Sequence, residues 1–222
     1  MPDAVVESSM IVFFVLSSVL ALLLTRAYLR KGEKSYMYWS IGFWFFALSD
    51  LLEVLFAFGA YSQVIAQLYL FVIAFMVIPL AMGSLRLIKS EFARLVYFGY
   101  SFITALVLAY FTFTSTIGDM VSGGMVNGNI PMNVLISSSL ITFPATVIII
   151  AIAAVTLVRM RKLKMAWIIL GMLLFAFGGM LYIASMPVAI YYVEFFGLVA
   201  LWLGFFDFAT IGSVGSRRKR RR

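Results

Sequence analysis

Seven runs of apolar residues fill this chain almost without remainder, each long enough to cross about 30 Å of hydrocarbon as a helix. They lie near 5–29, 36–59, 61–88, 92–114, 132–158, 164–185 and 188–212. Only one connection between them is long: "TIGDMVSGGMVNGNIPM" at 116–132, rich in glycine and polar residues. The pattern predicts an all-α integral membrane protein of seven transmembrane helices, comprising a single domain over 1–214 and a basic tail over 215–222. A hydrophobic fraction of 64% and a charged fraction of 12% place the chain outside the range of soluble domains.

Charge gives the seven helices a direction. The 17 lysines and arginines fall into four clusters. These are Arg26, Arg30, Lys31 and Lys34; Arg86, Lys89 and Arg94; Arg159, Arg161, Lys162 and Lys164; and Arg217 to Arg222. Counted against seven spans, all four lie on one face, and the opposite face carries none. Basic residues in short loops stay on the cytoplasmic side. The expected topology has the N-terminus outside and the C-terminus inside, in a multi-pass protein of the plasma membrane. Asp3 and Glu7 precede the first apolar run and basic residues follow it, so that run is expected to be a retained helix rather than a cleaved leader.

Internal similarity suggests a deeper organisation. "SSMIVFF" at 8–14 resembles "SSLITFP" at 138–144, and "MYWSIGFWFFA" at 37–47 resembles "MAWIILGMLLFAF" at 165–177, which sets Trp39 opposite Trp167. Helices 1–3 then correspond to helices 5–7 in the same orientation, with helix 4 as an inverting linker: a 3+1+3 parallel repeat. Chance likeness between apolar sequences is the competing explanation. In topology, over the whole chain, this arrangement resembles the SWEET sugar transporters and the microbial rhodopsins. The residues depart from both. There is no Pro-Gln dipeptide, and 188–212 contains no lysine, so no retinal Schiff base can form. The chain also resembles the seven-helix sensor modules of some prokaryotic kinases, without room for an output domain after the last helix.

Cysteine and histidine are both absent, which removes disulfides, thiol nucleophiles, imidazole bases and the usual zinc and haem ligand sets. No catalytic constellation and no cofactor site emerges. What remains is a set of acids in places where charge is costly. Asp50 and Glu53 fall in helix 2, and Glu194 and Asp207 in helix 7. Each costs about 2.5–3.5 kcal/mol at mid-bilayer, so the bundle interior or a cavity is their expected location. Asp50 and Glu53, three apart, share a helix face. Counted from the outer helix ends, they and Glu194 lie at similar depths. No basic residue occupies the outer half to neutralise them. They must therefore carry protons, bond to groups such as Tyr61, Gln63, Gln67, Tyr69, Tyr191 and Tyr192, or receive a cation from outside. Asp207, nearer the basic face, is expected to be structural.

The tail "SRRKRRR" supplies six positive charges, Arg217, Arg218, Lys219, Arg220, Arg221 and Arg222. Each is worth about 1 kcal/mol near anionic lipid head groups. It lacks the interleaved aromatics or folded module that nucleic-acid binding would call for. Met120, Met125 and Met132 in the long loop could present thioethers to copper(I), but are more simply an apolar lid. The leading functional expectation is the binding or transport of a small cationic solute, proton or metal ion through an outward cavity lined by Asp50, Glu53 and Glu194, with Gln67, Tyr69, Tyr191 and Tyr192 in support. The alternatives are a receptor signalling through a cytoplasmic partner, and a non-catalytic subunit of a homo-oligomer or larger membrane complex. The topology is checked by introduced cysteines. Ser122→Cys and Ser185→Cys should react with an impermeant thiol reagent on intact cells and Ser90→Cys should not; labelling at Ser90 would reverse the orientation.

Overall fold

The computed structural model describes residues 2–118, 120–122, 125–126, 129–161, 163–183 and 187–205. Helices α1 (Pro2–Lys31) and α2 (Lys34–Ala57) pack along one another, followed by α3 (Gln63–Phe75) and α4 (Val77–Leu85), then α5 (Glu91–Thr114). After the long loop come α6 (Met132–Met160), α7 (Lys164–Ile183) and α8 (Pro187–Phe205). Five rods, Ser8–Lys31, Lys34–Ala57, Gln63–Leu85, Glu91–Thr114 and Met132–Arg159, are long and apolar enough to cross a membrane. The apolar segments Lys164–Gly178 and Tyr192–Phe205 are shorter. The expected span 188–212 runs on past the described residues. This helical architecture is compatible with a membrane-embedded protein.

Local chemistry sets the helix ends. Gly32 and Gly59, at φ 69° and 79°, take left-handed backbone just beyond α1 and α2, where a side chain would be strained. Ser62 and Ser90 cap α3 and α5, their hydroxyls accepting from the amides of Ile65 and Ala93 at 3.2 Å. The third rod is interrupted at Met76, which parts α3 from α4. Pro79 explains the break, because it has no N–H to give to the Phe75 carbonyl four residues back. Pro144 poses the same problem inside α6 by leaving the Leu140 carbonyl without its helical donor. Here the neighbouring helix supplies one, and the Tyr100 hydroxyl on α5 donates to the Leu140 carbonyl at 2.6 Å.

Glycine sets the closest approaches. A Cβ on Gly42 would stand 2.6 Å from the Leu80 side chain and 3.0 Å from the Met76 carbonyl, and one on Gly83 would stand 2.4 Å from Trp39 and 3.0 Å from the Ser35 carbonyl. These glycines let α2 and α4 meet nearly backbone to backbone. Between α7 and α8, Gly171 meets Leu201 and the Gly197 carbonyl, while Gly204 meets Ile168. By contrast α5 turns a broad apolar surface outward, including Phe92, Leu95, Phe102 and Ile103.

The two ends of the bundle differ. At one end, Trp39 at the start of α2 lies edge-on to Phe205 at the end of α8, ring centroids 4.9 Å apart, and Arg86 at the end of α4 sits over the Tyr38 ring. This is the basic end. At the other, the 115–131 loop folds back over α2 and α3, burying Ile117, Met120 and Val126, with a two-residue ladder pairing Val121–Ser122 and Met125–Val126. This is the loop end.

Substitution at the close approaches tests this packing. Gly42→Ala and Gly83→Ala should each destabilise by about 1–3 kcal/mol through overpacking. Gly99→Ala, with nothing within 4 Å of the added methyl, should be neutral or slightly stabilising. Tyr100→Phe should cost about 1 kcal/mol by orphaning the Leu140 carbonyl. Thermal unfolding of the detergent-purified protein checks all four; equal midpoints for Gly42→Ala and Gly99→Ala would contradict the close-packed interface.

Candidate functional site

One face of α2 carries Trp39, Phe43, Phe46, Asp50, Glu53 and Phe56, at steps of three or four residues, and all are buried. Helical periodicity lines such positions up on one side. The two acids therefore interrupt an otherwise aromatic stripe, with Phe46 one turn before Asp50 and Phe56 one turn after Glu53. Asp50 is only 5% exposed and Glu53 6%, so the sequence expectation that they avoid the outer surface holds.

Each acid has a different set of neighbours. Glu53 accepts a 2.5 Å hydrogen bond at Oε1 from the Tyr69 hydroxyl of α3. Tyr69 is itself 1% exposed, and its ring packs edge-on against Phe56 at 5.5 Å. The Asp50 carboxyl lies beside the Ser17 hydroxyl of α1. That hydroxyl also lies 3.1 Å from the Phe14 carbonyl, so its one proton is shared between that carbonyl and the carboxyl. Oδ2 of Asp50 is buried without any hydrogen-bond partner. An orphaned buried oxygen of this kind costs about 1–3 kcal/mol.

The third acid arrives from the other end of the chain. Glu194 on α8 is half-buried, its Cγ close to Gly178 of α7, where an added Cβ would touch it at 3.9 Å. Glu53 and Asp50 both lie within electrostatic reach of Glu194. The fold thus assembles three acids from α2 and α8 in one neighbourhood. Arg94 and Glu91, paired at 3.6 Å, lie far along the chain from this cluster.

Other expected participants are placed differently. Gln67 sends its amide to the Phe113 and Ser115 carbonyls, at 3.4 and 3.2 Å. Gln63 donates to the Ser115 carbonyl at 3.0 Å and accepts from the Ile117 amide at 3.1 Å. Tyr61 donates to the Gly118 carbonyl at 2.6 Å. These three fasten the loop down, and of the expected polar helpers Tyr69 is the one bonded to an acid. Tyr192 is 64% exposed. The Tyr191 side chain, Asp207 and the tail Arg217, Arg218, Lys219, Arg220, Arg221 and Arg222 lie outside the described residues. Met120 is buried in the loop, whereas Met132 at the start of α6 is 68% exposed, so these two thioethers do not share an environment. Sequence reasoning missed Ser17 and the ring pair Phe46–Phe175, whose centroids are 5.4 Å apart. A serine in the first helix at the depth of the acids was the available signal for Ser17.

No known protein family, curated protein or solved structure matches the chain. The site must therefore be read from its own chemistry. Tyr69→Phe removes the one hydroxyl bonded to Glu53 and should lower stability by about 1–3 kcal/mol, since the partner left behind is a buried acid. Adding Glu53→Leu to Tyr69→Phe should recover part of that loss, because both partners are then apolar. Unfolding midpoints of the single and double variants decide this; a fully additive loss would deny that the two side chains are coupled.

Proposed function

We propose that this is a seven-span plasma-membrane protein, N-terminus outside, that binds a small organic cation or proton at Asp50, Glu53 and Glu194. The observation that carries this reading is the Asp50 oxygen buried without a partner, beside two further acids and, among the described residues, with no base acting on it. A cation entering from the loop end balances what the protein itself leaves unbalanced. When no cation is bound, protons take its place, and binding releases them.

A metal ion is the less fitting occupant. Among the described residues no three acidic, histidine or cysteine side chains are arranged to hold one, and calcium would call for about six to eight oxygens. The rings along the stripe favour an organic cation instead. Phe46 and Phe56 flank the two acids of α2, and aromatic faces attract desolvated cations by about 0.5–2 kcal/mol. Anionic head groups are the proposed partners of the tail.

The test uses tetraphenylphosphonium and tetramethylammonium as probes, by equilibrium dialysis of the purified protein with an indicator dye reporting proton release. Binding should release protons. Asp50→Asn and Glu53→Gln should leave the fold intact and weaken binding by about ten- to a hundredfold, the value of a hydrogen-bonded charge. A purely structural role predicts another result: amides behave as wild type, whereas Asp50→Leu and Glu53→Leu unfold. That outcome, or failure of both probes and of proton uptake, would remove the cation site.

A further inference from the structure

Two backbone-close contacts between α2 and α4 recur between α7 and α8. A Cβ on Gly42 would stand 2.6 Å from the Leu80 side chain and 3.0 Å from the Met76 carbonyl; one on Gly171 would stand 2.7 Å from the Leu201 side chain and 3.0 Å from the Gly197 carbonyl. One and a half turns away, Gly83 stands against Trp39 and the Ser35 carbonyl, and Gly204 against Ile168 and the Lys164 carbonyl. The correspondence is constant along each helix. Ser35, Trp39 and Gly42 map to Lys164, Ile168 and Gly171, each 129 positions on, while Met76, Leu80 and Gly83 map to Gly197, Leu201 and Gly204, each 121 positions on. The sequence likeness that sets Trp39 opposite Trp167 is therefore one residue out of register: the contact geometry pairs Trp39 with Ile168.

The same displacement carries Phe46 onto Phe175, and these two rings touch. A residue in contact with its own counterpart lies beside a two-fold axis. The acids do not follow the repeat: Asp50 maps to Gly179, Glu53 to Tyr182, and Glu194 back to Ile73. Each half contributes different acids to a place between the halves.

We propose that the chain is two copies of one three-helix unit, α1–α4 and α6–α8, joined by α5, and that these rock about the Phe46–Phe175 contact to open the acids to each end in turn. This rests on the cation-site reading and extends it from binding to carriage. The contacts support the division into bodies. Within each unit, glycine-mediated approaches lock α2 to α4 and α7 to α8, because any sliding drives a side chain into backbone. Between the units α6 packs along α4, and α8 meets α1 and α2 ring on ring, as in Phe205 with Trp39 and Phe43 at the basic end and Phe13 with Phe195, centroids 6.0 Å apart. Packed rings can exchange neighbours at small cost, which gives such an interface two discrete arrangements. The Trp202 indole, donating to the Leu16 carbonyl at 3.0 Å, tethers α8 to α1 across the same interface.

The absence of native cysteine makes the test direct. Asp50→Cys, in right-side-out and in inverted vesicles, is treated with a charged, impermeant thiosulfonate; Ser17→Cys serves as a second reporter should the first fail to fold. Labelling from both faces is expected. Bridging Phe43→Cys to Phe205→Cys beforehand with a short bis-thiosulfonate should abolish labelling from the basic end and spare labelling from the loop end. Reaction from one face only, from neither, or from the basic end despite the bridge would overturn the two-body carrier. Because no cation is needed for this measurement, it can succeed while the amide variants fail to alter cation binding, or the reverse, so the two readings fail separately.

Discussion

Among helices as apolar as these, burial cannot by itself decide which faces meet, because lipid is as apolar as leucine. What decides is how near two backbones can come. Gly42 and Gly83 on one side, and Gly171 and Gly204 on the other, fix the rotation and depth of α2 against α4 and of α7 against α8. The rest depends on that setting. It turns the aromatic stripe of α2 inward, and with it Asp50 and Glu53; it also places α8 so that Glu194 reaches the same neighbourhood.

Much of this was legible in the residues. For the five long rods, apolar run lengths gave the ends to within a few positions, since hydrocarbon thickness sets a minimum length that composition reveals. The three-residue spacing of Asp50 and Glu53 fixed their common face. The close approaches at Gly42 and Gly83 were not legible, because which glycine meets a neighbour depends on helix rotation. The roles of Tyr61, Gln63 and Gln67 were illegible for a similar reason. Their partners are carbonyls and an amide of a loop whose path no periodicity encodes, and any backbone carbonyl looks alike in sequence.

The site joins two opposed requirements. Glu53 is held by Tyr69 in a short, directed bond, while Asp50 keeps one oxygen uncommitted. A fully satisfied pair would be inert packing, and a fully unsatisfied pair would cost more than a small helical bundle can bear. Dividing the burden between a bonded acid and an uncommitted one confines the unsatisfied cost to a single oxygen.

The proline of α6 has a consequence beyond its own helix. An ordinary helical hydrogen bond is a private matter, closed within one strand of backbone and silent about its neighbours. By denying Leu140 that bond, Pro144 turns a carbonyl outward, and Tyr100 answers from α5. The most loosely packed helix, whose greasy outer face offers no preference for height or angle, thereby acquires a single index mark. A defect in one rod serves as the ruler by which the next is aligned.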